Sequence, residues 1–89
     1  MSATYPQIAF TESVKAHLTV AMLRHQITGD EYVAAINEVL RVAAHLPSTH
    51  SADDTTKDAT VFARYILGDE DEQTKMRCDG ALPWWVGHN

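Results

Sequence analysis

From Val14 to Ile27 the chain reads VKAHLTVAMLRHQI, and its apolar positions form two groups when successive residues are stepped by about 100° around a helix. Val14, Leu18, Ala21 and Met22 share one side; Ala16, Val20, Leu23 and Ile27 share nearly the opposite side. Polar seams of Lys15, Thr19 and Gln26, and of His17 and Arg24, separate them. A surface helix of a small domain has one apolar stripe to bury. Two stripes therefore predict a helix that is central to the fold or shared with another molecule. It is expected over residues 11–28, with Thr11 as amino-terminal cap, Glu12 complementing the helix dipole and Thr28-Gly29 as its end. Residues 1–10 carry Pro6 and no helical period, so they predict an extended arm that folds Ile8 and Phe10 back onto the body.

Thr28 and Glu31 have the spacing of a capping box, in which each side chain satisfies the other's backbone amide. A second helix over 29–46 follows, and its residues Tyr32, Ala35, Ile36, Val39, Leu40, Val42, Ala43 and Leu46 share about half of the wheel. The short connection predicts an antiparallel hairpin with the first helix. Pro47 stops the second helix, and residues 47–54 read as a polar loop. A third helix is expected over 55–68, capped by Asp54 or Thr55, with Ala59, Phe62, Ala63 and Ile66 as its stripe, Val61 and Tyr65 on the shoulder, and Gly68 as a left-handed end. Asp69, Glu70, Asp71 and Glu72 open a short acidic helix over 69–79, with Met76 its main apolar residue. The tail, 80–89, holds Trp84 and Trp85 in an extended run in which neighbouring side chains point opposite ways. One tryptophan is expected to seal helices two and three and the other to stay exposed. The expected fold is all-α: three main helices and a short fourth in one domain, residues 1–89.

Composition narrows the partners. Eighty-nine residues allow one thin core, which association would help to complete. Twelve acidic residues against seven Lys and Arg give a net charge of −5, with eight of the acids between 53 and 79, and no basic cluster exists to hold a phosphate backbone. Nucleic acid is thereby disfavoured. The single cysteine, Cys78, cannot form an internal disulfide, and neither a signal region nor a membrane span is evident, so a soluble cytoplasmic protein is expected.

Candidate chemistry adds little. His17 and His25 are eight apart, and His45 and His50 are five apart across Pro47, so neither pair has the three- or four-residue spacing of two metal ligands on a helix. A site made of His45, His50, Cys78 and His88 would need the tail to fold back on the loop; that is the metal-responsive alternative. No nucleophile elbow, phosphate loop or zinc-protease motif appears, and the acids around Cys78 disfavour a thiolate. No metal, cofactor or catalytic residue is expected. A helix-turn-helix regulator is a second alternative, but the outer face of the second helix offers Asn37, Glu38, Arg41 and His45, with one fixed cation. The favoured expectation is a non-catalytic protein that binds another protein, as an adaptor or an occluding inhibitor, or as a homodimer. Its contact residues are expected to be Val20, Leu23 and Ile27, the acidic run Asp69, Glu70, Asp71 and Glu72, and Trp84 with Trp85.

Overall fold

Thr4 and Gln7 decide where the first helix begins. In the computed structural model, which describes residues 4–86, Thr4 Oγ1 accepts from the Gln7 amide at 3.4 Å and Gln7 Oε1 accepts from the Thr4 amide at 3.1 Å. This capping box starts α1 at Tyr5, and α1 runs Tyr5–Leu23. The expected extended arm is corrected over residues 5–10. Pro6 sits in the first turn, where its missing N–H is no loss.

The other end of α1 is corrected too. His25 is left-handed (φ 59°), and the bonds His25 N to Met22 O (3.0 Å) and Gln26 N to Ala21 O (2.9 Å) close the helix in a Schellman motif. The helix therefore stops at Leu23, five residues before Thr28, and Ile27 is not on its wheel. Gly29 does not end α1; it opens α2 (Gly29–Ala43), whose expected Thr28–Glu31 capping box is present at 3.1 and 2.9 Å. α2 stops short of residue 46 because Pro47 disfavours helical backbone ahead of it, and tighter bonds from His45 to Val42 and from Leu46 to Ala43 finish the turn. Leu46 is buried all the same, whereas Leu40 faces solvent.

Ser51, not Asp54 or Thr55, caps α3 (Ala52–Leu67) by accepting from the Asp54 amide at 3.1 Å. Thr55 is consequently buried inside the helix, with its hydroxyl donating to Ser51 O at 2.7 Å. Gly68 is extended (φ −75°, ψ 159°) and not left-handed. Its lack of a side chain serves close approach, since a Cβ there would lie 3.1 Å from the Glu72 carboxylate and 3.2 Å from Arg64 O. Asp69 then caps α4 (Glu70–Cys78) through the Glu72 amide, and the left-handed Gly80 (φ 68°) ends it. Among the described residues there is no strand, and the chain is all-α.

α1 is the common support: both α2 and α3 pack on it, and α4 packs on α3. Gln7 reaches the carbonyls of Ala44 and Leu46, and Thr19 reaches the Tyr32 hydroxyl. Each pair of anchors is twelve residues apart, roughly 18 Å along a helix axis, so α1 and α2 lie side by side and antiparallel, as the short connection predicts. The position is central but the burial is one-sided. Pro6, Phe10, Val14, Leu18 and Ala21 are buried, while Ala16, Val20 and Leu23 are exposed, so among the described residues the second stripe stays largely open.

Trp85 completes the core. Its ring stands edge-on to Phe10 at 5.0 Å, and Phe10 lies 5.7 Å from Phe62 of α3. The tail thus seals α1 against α3, within a core cluster that also holds Val39, Val42 and Ala43 of α2. Trp85 Nε1 donates to Asp58 Oδ2 (2.9 Å), which also accepts from His50 Nε2 (2.7 Å). One buried and one exposed tryptophan are found as expected, within a turn closed by Val86 N and Pro83 O instead of an extended run. The radius of gyration of 12.7 Å is close to the roughly 12 Å of a closed chain this long. No helix among the described residues is long and apolar enough to cross a membrane.

Candidate functional site

The early start of α1 lengthens its outward stripe. Tyr5, Ala16, Val20 and Leu23 fall within about 60° of arc on the solvent side. Leu23 is 71% exposed and Val20 44%, although Phe10, Val14 and Leu18 on the same helix are fully buried. Tyr5 was hidden from the sequence reading because Pro6 had placed it in an arm.

Val20 borders a hollow of about 370 Å³ between α1 and the end of α3, lined also by Ala16, His17, Ala21, Arg24 and Leu67. A second hollow of about 270 Å³ shares His17 and Leu67 with the first and is bounded by Thr60, Arg64 and Glu72. Ile27, half-buried against the core, lines a third hollow of about 440 Å³ on the α2 side, again with Leu67. Val20, Ile27 and Glu72 therefore border adjoining surface, and Leu67 is their common wall. Leu67 escaped the sequence reading, although its signal was there: an apolar residue off the Ala59–Phe62–Ala63–Ile66 stripe, just before Gly68.

Asp69, Glu70, Asp71 and Glu72 are exposed on the cap and first turn of α4, where their charge complements the helix dipole. Asp69 is engaged as the cap. Trp84 is 66% exposed, whereas Trp85 is fully buried and belongs to the core. The structure does not bring Trp85 to any surface.

The cations divide by engagement. Arg41 is bonded to Glu38 one turn away; that hydrogen bond, and then the charge of Glu38, hold the Arg41 pKa above its ordinary value. Arg77 lies over the Tyr65 ring and donates to its hydroxyl at 2.6 Å. The side chains of Arg24 and Arg64, which line the two hollows beside α1, make neither a hydrogen bond nor an ion pair among the described residues.

Among the described residues no three His, Cys, Asp or Glu side chains gather as a metal would require. His45 and Cys78 are exposed, His50 is held by Asp58, and His88 lies outside the described residues. No protein-family model matches the chain, and neither a curated protein nor a solved structure is significantly similar to it.

Proposed function

We propose that this chain is a non-catalytic protein-binding protein, an adaptor or an inhibitor that occludes a partner's surface, and that it engages the partner through the outer face of α1 beside Leu67. One observation carries the reading. Leu23 and Val20 are exposed on a helix whose opposite side already closes the core, so packing among the described residues gives no account of their apolar character. The adjoining hollows give a partner's side chains somewhere to enter. A second copy is the other occupant the same face would accept.

Mutation separates interface from core. Leu23→Asp should cost under about 1 kcal/mol, chiefly from a negative charge at the carboxyl end of a helix. Leu18→Ala, by contrast, should cost about 2–5 kcal/mol through the cavity it leaves. Leu23→Asp and Val20→Asp should therefore keep the wild-type melting temperature within a few degrees while abolishing partner capture from the native host, or halving the mass read by light scattering. A folded Leu23→Asp protein with undiminished capture and mass would refute the assignment.

A further inference from the structure

Resting on that reading, we infer that the partner presents an acidic amphipathic helix, whose apolar stripe lies along Val20, Leu23 and Leu67 and whose carboxylates are taken by Arg24 and Arg64. The chain has four arginines. Arg41 and Arg77 are engaged by Glu38 and Tyr65, and the remaining two line hollows that share His17 and Leu67. A guanidinium offers a planar fork of donors that matches a carboxylate, and beside an apolar floor such a bond is less screened than in open water. An inorganic anion would leave the floor of Ala16, Val20 and Leu67 unfilled. A helix with apolar residues at three- and four-residue spacing fills it and flanks it with carboxylates.

The chain's own acidic run does not meet this description. Met76, the main apolar residue of α4, is buried, so α4 of a second copy would offer carboxylates without a stripe. Whole-molecule charge points the other way, since a protein of net charge −5 attracts a basic helix. The two predictions are opposed, and that makes the test sharp. Glu72 borders the same hollow as Arg64, but beyond roughly 8 Å at physiological salt the rest of the field is screened, so the two arginines in contact should prevail over that one carboxylate.

The probes are two labelled peptides of about fifteen residues with leucines at identical helical positions, the remaining sites being glutamate in one and lysine in the other. Fluorescence anisotropy with the full chain at physiological salt should show the acidic peptide bound at least about tenfold more tightly. Arg24→Gln with Arg64→Gln, both at exposed positions, should remove that preference, and Arg24→Glu with Arg64→Glu should reverse it. Equal or tighter binding of the basic peptide, a preference untouched by the arginine variants, or no binding of either peptide overturns the inference. So does a dimer that Leu23→Asp dissociates, because a second copy then fills the face. Failure of the charge inference alone is recognised when Leu23→Asp abolishes binding of a basic peptide. Acidic-peptide binding that survives Leu23→Asp removes the α1 face itself.

Discussion

Asp58 Oδ2 accepts two hydrogen bonds at once, from Trp85 Nε1 and His50 Nε2, and so ties α3, the loop before it and the tail to one atom. Both donors lie beside the apolar core, where an unmatched carboxylate oxygen is costly. Trp85→Phe keeps most of the ring burial and removes one donor, and should cost about 1–2 kcal/mol. Trp85→Ala also empties the place against Phe10 and should cost about 3–5 kcal/mol. Urea denaturation of Trp85→Phe, His50→Ala and the double variant measures whether the bonds act together. A coupling above about 0.5 kcal/mol is expected, because both donors serve one oxygen. Additivity would mean that the two anchors are independent.

At the scale of elements, helix ends carry the lesson. His25 is the left-handed residue that stops α1, a backbone conformation costing a residue with a Cβ about 1–2 kcal/mol. His25→Gly should therefore stabilise the protein by about 0.5–1 kcal/mol after the entropy of a freer unfolded chain is subtracted. A lowered melting temperature would show that the imidazole contributes something beyond the turn. Helix number and the core stripes of α2 and α3 are legible because the apolar period is clear in both, Phe62 with Ala59 and Ala63 in α3, and in α2 the box of Thr28 with Glu31 agrees with it. The start of α1 lies earlier than Pro6 suggests, because proline is tolerated in a first turn and Thr4 and Gln7 have the same box spacing as Thr28 and Glu31. The end of α1 lies before the Thr28-Gly29 that sequence predicts, because His25 takes the left-handed position usually given to glycine. Arg24 and Leu67 are far apart in sequence and no local pattern links them; tertiary packing of α1 on α3 brings them to one surface.

At the scale of the molecule, α1 supports two neighbours with one buried side and leaves the other side dressed in Tyr5, Val20 and Leu23. That division answers the question raised by the two stripes of Val14 to Ile27: one is core, and the proposed contact uses the other. The closure between α1 and the tail also has a kinetic side. Phe10 and Trp85 meet across seventy-five residues of chain, whereas α1 and α2 close a connection of a few residues. Loop entropy alone makes the longer closure about 2 kcal/mol dearer, so it belongs after the folding barrier. Trp85→Phe should therefore accelerate unfolding in proportion to the stability it loses and leave the refolding rate unchanged, as read by stopped-flow circular dichroism. Slowed refolding would place the Phe10–Trp85 contact in the folding nucleus. With the late contact, the ring of Trp85 governs how long the folded protein lasts and has little say in how quickly it forms.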